Sequence, residues 1–387
     1  MHLTRPAWVE VNLDTLKKNV NTIKEQVSDG VELISVVKSN AYGYGAVKIV
    51  ETIKELGINN FAVATLSEAI SLRNHYDDIN ILILGYTPDY LMEDSIKNGI
   101  TMTVYNLENA REISENAKKL NLTAKINIAV DSGMNRIGFK VTEENADKIK
   151  EISKLDNIKI TGMFTHFAAA DENREYTAFQ FNNYMRMYNM LNERNVEIPL
   201  RHVNNSQGII NYREYDLNAA RPGLVQLGHT EGVESKYEGF KVEYIGEVKA
   251  QIANLKIVPK GEKVSYGLTY ETSKETKIAT LPIGYADGII RQLSGKIDVL
   301  IDGKRCPQIG RICMDQMMID VTNINCKIGD EAVIIGKQGE EEIPILEVAL
   351  KAGEIATSYS CHFSSRLPRV YIKDGKIESI HDEILLR

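Results

Sequence analysis

Between Leu33 and Ala220 the chain repeats one unit, a short apolar run without helical period followed by an amphipathic segment. The apolar runs are Leu33–Val37, Phe61–Ala64, Ile81–Leu84, Thr101–Val104, Ile126–Val130, Ile158–Phe164, Leu200–Val203 and Leu217–Ala220. Runs this short, β-branched and bounded by turn formers, read as strands buried on both faces of a parallel sheet. The segments between them, such as Ala46–Leu56, Asn106–Leu120 and Glu175–Glu193, carry apolar residues at helical spacing. Eight such units over roughly 200 residues are what a (β/α)8 TIM-type barrel requires. An open doubly wound sheet is the alternative, because periodicity does not report closure. Ahead of the repeat, Trp8 to Leu13 alternate as a strand and lead into a helix expected to be capped near Asp14.

The rhythm ends near Gly232. Beyond it come short alternating runs punctuated by Gly, Pro and Asn: Val242–Ile252, Lys277–Leu281, Ile297–Ile301, Arg305–Ile309, Met317–Asp320 and Glu331–Ile335. The expected organisation is an α/β barrel over 1–232 and a β-rich domain over 233–387, two cores in a chain of 387 residues. A formal charge of -7 leaves no basic footprint for nucleic acid or an anionic membrane, so the expected partner is a small molecule. No apolar run approaches the roughly 18 residues of a membrane span, and the Met-His-Leu-Thr-Arg-Pro start lacks a signal-peptide core, which points to the cytoplasm. Cys306, Cys313, Cys326 and Cys361 form no Cys-x-x-Cys pair and read as free thiols, with no metal site.

Lys38 stands at the carboxyl end of the first apolar run, where barrels and open α/β sheets both place their chemistry. Partial desolvation there disfavours the ammonium form and makes a neutral amine available to attack an aldehyde. Gly43 and Gly45 follow in Asn-Ala-Tyr-Gly-Tyr-Gly, allowing close backbone approach to a ligand before a helix begins near Ala46.

The stretch Val-Val-Lys-Ser-Asn-Ala-Tyr-Gly-Tyr-Gly resembles the cofactor-lysine motif of the alanine racemase family, and further motifs of that family run the length of the chain. The resemblance implies a barrel followed by a β-domain, and pyridoxal 5'-phosphate carried on Lys38. It also implies interconversion of L- and D-alanine, supplying D-alanine for peptidoglycan. Racemisation removes a proton from one face of the substrate and returns one to the other, so it needs two acid/base groups. Lys38 is one. The other is Tyr266 in Val-Ser-Tyr-Gly-Leu, which resembles the family's catalytic tyrosine motif; a free tyrosine titrates near 10, roughly, and so needs a partner. His166, after the sixth apolar run, matches the family histidine that contacts that tyrosine. The resemblance further implies that Tyr266 reaches the barrel mouth of a second subunit, making the enzyme a homodimer with shared sites.

Arg221, in Asn-Ala-Ala-Arg-Pro-Gly-Leu, matches the family arginine that faces the pyridine nitrogen. A guanidinium has no proton to spare at neutral pH, so that ring is a weaker electron sink, which disfavours a decarboxylase or transaminase reading. Phosphate is expected at Tyr42, Ser206 and the N–H groups of Gly223 and Leu224, with Asn205 beside Ser206 at a helix start. Arg136, in Asp-Ser-Gly-Met-Asn-Arg-Ile-Gly, matches the arginine that holds the substrate carboxylate. The motifs around Tyr285 and around Met314 and Asp315 place these residues at the substrate entrance, with the Met314 N–H on the carboxylate.

Two positions depart from the pattern. Many members carry a carbamylated lysine where this chain has Ala129, so another group must orient Arg136. Many also carry a tyrosine before Arg-x-Pro-Arg, where this chain has Ser365. Loss of that ring at the entrance opens the alternatives of a serine or broader-specificity racemase. A non-catalytic pyridoxal-phosphate carrier is disfavoured by Tyr266 and by the residues after the barrel.

Overall fold

The computed structural model describes residues 3–385. Eight parallel strands, Glu32–Val36, Asn60–Val63, Asn80–Ile83, Met102–Val104, Ala124–Asp131, Ile158–Phe164, Leu200–His202 and Ala219–Ala220, follow one another around a ring in chain order. The third and fourth meet through a parallel bridge at Leu82 and Thr101, with Ile83 N donating to Thr101 O at 2.9 Å and Thr101 N to Ile81 O at 2.8 Å. That bridge closes the barrel and removes the open doubly wound alternative. All eight runs read from the sequence are strands, with ends displaced by at most two residues, as expected where apolar burial and the hydrogen-bond ladder end at different residues.

The connecting helices start where short polar side chains cap their free N–H groups. Asn106 Oδ1 accepts from Asn109 N at 2.7 Å, Thr142 Oγ1 from Asn145 N at 3.2 Å, and Asn173 Oδ1 from Tyr176 N at 2.9 Å. The first helix, Leu13–Gln26, begins earlier than the sequence reading placed it. Its cap is Asn12, whose Oδ1 accepts from Thr15 N at 2.9 Å, and Asp14 lies inside the first turn.

The chain divides into two compact units, 17–41 with 46–242, and 1–16 with 42–45 and 243–387. A division of the sequence at Gly232 puts the opening strand with the barrel. In the structure Ala7–Asn12 instead lies in the 11-stranded sheet of the second unit, antiparallel to Gly246–Gln251 and parallel to Arg369–Lys373. The remaining pairings of that sheet are antiparallel. Two helices, Ile345–Ala352 and Ala356–Ser360, also belong to this unit and were not read from the sequence.

Candidate active site

Each barrel strand ends at the same rim, and the residues singled out in the first unit all lie in loops leaving it. Lys38 comes two residues after Glu32–Val36, Arg136 follows Ala124–Asp131, and His166 follows Ile158–Phe164. Asn205 and Ser206 follow Leu200–His202, and Arg221, Gly223 and Leu224 follow Ala219–Ala220. Residues separated by as many as 186 positions (224 minus 38) therefore share one end of one barrel.

The lysine leads into a left-handed turn. Ser39, Asn40, Ala41 and Tyr42 have φ of 53°, 54°, 51° and 55°. Left-handed backbone costs an L-residue about 1–2 kcal/mol, so four in succession need outside support. Part of it comes from Ala41 N donating to Val37 O at 2.9 Å and Ala46 N to Asn40 Oδ1 at 2.8 Å. Gly43 and Gly45, at φ of 94° and 95°, continue the positive-φ run into the second unit. There the chain's own carboxyl-terminal segment occupies the space a side chain would need. A Cβ on Gly43 would lie 2.3 Å from Ser360 O, and one on Gly45 1.8 Å from Tyr371 Oη. Arg369 fixes this part by donating from Nε and Nη2 to Gly43 O at 3.0 and 2.8 Å.

Arg221 is the most constrained charge at the rim, at 3% exposure. Its Nη1 donates to His202 Nδ1 at 2.9 Å and His202 O at 2.6 Å, and its Nη2 to Thr165 O at 2.6 Å and Val203 O at 3.1 Å. Burial pushes the guanidinium down to about 10, opposed by Tyr184 and aided by Arg136, so it stays charged at neutral pH. Because His202 Nδ1 accepts from arginine, its proton sits on Nε2, which donates to Asn127 Oδ1 at 2.9 Å. Asn127 Nδ2 in turn donates to Thr161 Oγ1 at 2.9 Å. Four of the five arginine N–H groups are thus taken, and Nε–H has no acceptor among the described residues.

Around it, Ser206 Oγ accepts from Gly223 N at 3.0 Å and Val225 N at 3.3 Å, which leaves its own O–H free to donate. Gly223 N–H is therefore already bonded within the protein, whereas the Leu224 N–H has no acceptor among the described residues. Asn205 caps the helix Ser206–Asn211 through Gly208 N at 2.9 Å, and its Nδ2 lies 3.3 Å from His166 Nε2. Removal from water, then the charges of Arg221, Arg136 and Lys38, push His166 down to about 3. The imidazole is neutral at physiological pH, and its Nε2 accepts from Asn205 Nδ2.

His202 is held well below its ordinary value by burial and then by Arg221, and burial holds His229 down to about 3. Both are neutral in the fold, whereas an unfolded histidine takes a proton below pH 6.5, roughly. The unfolded state binds more protons there, so stability falls as pH drops through that value. The urea midpoint is expected to decrease from pH 7 to pH 5, with each of the three histidines, His166 included, contributing up to about 1.4 kcal/mol per pH unit. A midpoint that holds constant over this range would mean that these rings are protonated in the fold.

Arg136 is exposed and has no hydrogen bond or ion pair among the described residues. Its loop is built around Asp131, whose Oδ1 accepts from Gly133 N at 3.1 Å and Asn135 N at 2.9 Å and whose Oδ2 lies 2.9 Å from Lys140 Nζ. Burial works against this carboxylate, but the bonds from Lys140, Asn135 and Gly133 outweigh it and hold it below the usual range. Ala129 is 1% exposed in the fifth strand, and no side chain of the described residues takes over the orienting bond to Arg136.

In the second unit Tyr266 projects from strained backbone. Ser265 has φ 67° and ψ -174°, a region that side chains rarely adopt, and Gly267 and Leu268 follow at φ 73° and 52°. Ser265 Oγ ties this loop down by donating to Arg311 O at 2.6 Å. The Tyr266 ring is 69% exposed and lines a cavity of about 480 Å3 with Met314, Asp315 and Cys313. Tyr285 stands next to this region, its N–H on Cys313 O at 3.0 Å, and the Met314 N–H has no acceptor among the described residues. The Asp315 carboxylate accepts from Arg366 Nη2 at 2.7 Å. Ser365, next to that arginine, is exposed.

Sequence reading missed His202, Asn127, Asp131, Glu68 and Arg369. Two of them carried a signal: a histidine and an asparagine inside apolar strand runs must find partners, because burying an unpaired polar group is costly. All four cysteines are thiols, and among the described residues no group of three or more His, Cys, Asp or Glu side chains is arranged to hold a metal.

Residues 11–231 match the family model described as "Alanine racemase, N-terminal domain", and residues 245–371 match "Alanine racemase, C-terminal domain". The alanine racemase of Clostridium tetani is 44% identical over 385 residues, covering 98% of this chain and 99% of its own. The solved alanine racemase of Clostridium difficile 630 superposes with a TM-score of 0.95 at 40% identity, covering 99% of this chain and all of its own. A solved histidine racemase from Leuconostoc mesenteroides has a TM-score of 0.89 at 29% identity, covering 96% of this chain and 99% of its own.

Proposed function

The chain belongs to the alanine racemase family, pyridoxal-phosphate-dependent isomerases, and on that premise we propose that it interconverts L- and D-alanine with Lys38 and Tyr266 as the two acid/base groups. The observation that carries the reading is the donor set at the barrel rim. A buried guanidinium with one N–H to spare, a free serine O–H, an unpaired backbone N–H and a strand-end lysine fit the pyridine nitrogen, phosphate and aldehyde of pyridoxal 5'-phosphate. When bound, that cofactor supplies the electron withdrawal that acidifies the substrate Cα–H.

The chain's own residues do the rest. Lys38 holds the cofactor and then takes or returns the proton on one face. Tyr266 does so on the other face, across a barrel mouth supplied by a second copy of the chain. Its exposed ring on strained backbone supports such a homodimer. His166, neutral and hydrogen-bonding, shares the tyrosine's proton. Arg221 would hold the cofactor ring, and Tyr42, Asn205, Ser206 and Leu224 would hold the phosphate end, with Gly223 shaping that end through its bond to Ser206 Oγ. Arg136, Tyr285, Met314 and Asp315 receive the substrate. The reaction runs in the cytoplasm and supplies D-alanine for peptidoglycan. No helix among the described residues is long and apolar enough to cross a membrane.

Purified protein with pyridoxal phosphate is expected to convert L-alanine to the racemate, and borohydride reduction is expected to fix the label on Lys38. Recovery of that label on another lysine removes the basis of the reading.

Ser365 favours a wider substrate range as a second reading, in keeping with a family fold that also hosts the Leuconostoc enzyme. A pocket rejects one added hydroxyl weakly, about 10²-fold, so serine is expected to be racemised within that factor of alanine. Ser365→Tyr is then expected to raise the alanine-to-serine ratio of kcat/KM. An unchanged ratio would place specificity in another residue.

A further inference from the structure

The left-handed turn after Lys38 is held at its first amide by a residue that no motif singled out. Glu68 sits in the first turn of the helix Leu66–Arg73, after the second barrel strand. Its Oε1 accepts from Ser39 N at 2.5 Å, and its Oε2 accepts from Ala64 N at 2.8 Å and Thr65 N at 3.1 Å. Thr65 Oγ1 returns a bond from Glu68 N at 3.4 Å, completing a capping box.

An ordinary capping box serves the helix alone. Here the second carboxylate oxygen is turned outward to a different loop, and the N–H it takes belongs to the residue immediately after Lys38. One side chain therefore spans the end of the second strand and the start of the strained turn that follows the first. Three N–H groups converge on it, and only a carboxylate offers acceptors on both oxygens; an amide would turn an NH2 group toward one set. With Ser39 fixed from outside and Asn40 and Ala41 fixed by Ala46 and Val37, the entry into the left-handed run has one geometry.

We infer that Glu68 is a positioning residue for Lys38: by holding the Ser39 amide it fixes the backbone from which the Lys38 amine reaches the barrel mouth. The inference rests on the reading that Lys38 carries the cofactor and exchanges the proton. It predicts that loss of the clamp lowers the rate of proton transfer by Lys38 more than it weakens alanine binding, because misplacing a reacting group mainly affects the transition state.

The test uses the full chain with cofactor, as wild type, Glu68→Gln and Glu68→Ala, and two measurements. Hydrogen–deuterium exchange of the holoenzyme, read on peptides covering residues 37–45, reports the clamp without reference to activity. Exchange there is expected to rise from wild type to Gln to Ala while peptides from the other barrel strands keep their protection, the pattern of local rather than global opening. In the holoenzyme, kcat is expected to fall about tenfold for Gln and about 10²-fold for Ala, with the KM for alanine little changed.

Unchanged exchange at 37–45 in Glu68→Ala overturns the inference. So does faster exchange there with an unchanged kcat. Uniform acceleration across the barrel in both variants also overturns it, since Glu68 would then be a helix cap only. If the wild-type borohydride label falls elsewhere than Lys38, the functional reading fails by itself, and the exchange data still report whether the clamp exists.

Discussion

Tyr266→Phe is expected to abolish racemisation of alanine in both directions, by about 10²–10⁴-fold or more, while cofactor binding survives. Each direction requires one group to take a proton and another to deliver one on the opposite face. Removing a single phenolic oxygen therefore stops both, although the ring and its packing remain. Ser265, Gly267 and Leu268 set the backbone that presents the ring, and the phenylalanine ring needs no change in it. The proposed cofactor donors other than Tyr42 lie in the first unit, at the barrel rim, and the substitution removes none of them. In deuterated water the variant is expected to exchange the α-proton of one enantiomer through Lys38 without inverting it. Racemisation at the wild-type rate would show that the second acid/base group lies elsewhere, and loss of cofactor would show that Tyr266 serves binding.

The barrel was legible because its signal is local and redundant. The eight apolar runs are each too short for a helix, most carry β-branched residues, and the unit repeats often enough to identify a class of fold. Closure was not legible, since it depends on a single bridge between Leu82 and Thr101 that leaves no mark in composition. The placement of Ala7–Asn12 was hidden for a related reason. Its alternating pattern shows a strand, but its partners at Gly246–Gln251 and Arg369–Lys373 lie more than 200 positions away. Site residues divide in the same manner. Lys38, Arg221 and Ser206 stood out because they sit at strand ends in recognisable motifs. Glu68 reads as a helix cap, and that its other oxygen holds Ser39 depends on how two adjacent βα loops fold together. The left-handed turn was equally hidden, because Ser, Ala and Tyr do not announce positive φ as glycine does.

Arg221→Lys is expected to cost both stability and activity, and it separates the charge of this residue from its shape. The arginine satisfies three backbone carbonyls, of His202, Thr165 and Val203, and the lone pair of His202 Nδ1, all from a planar fork at 3% exposure. A lysine ammonium carries three N–H groups on one atom and cannot reach acceptors on both sides of that plane. At least two buried acceptors lose their donor, at about 1–3 kcal/mol each, so the denaturant midpoint is expected to fall by the equivalent of about 2–6 kcal/mol. The consequence runs through the barrel interior as well. Once Nδ1 loses its donor, the imidazole no longer has a reason to keep its proton on Nε2, and the bond to Asn127 loses its fixed direction. Cofactor affinity and kcat are both expected to fall, since the Nε–H proposed to meet the cofactor ring disappears with the guanidinium. Paired with Asn127→Leu, the double variant is expected to lose less stability than the sum of the two single losses, because both break the same chain of bonds. Strict additivity would mean that His202 does not couple them, and an Arg221→Lys midpoint within about 0.5 kcal/mol of wild type would mean that water replaces the fork without loss.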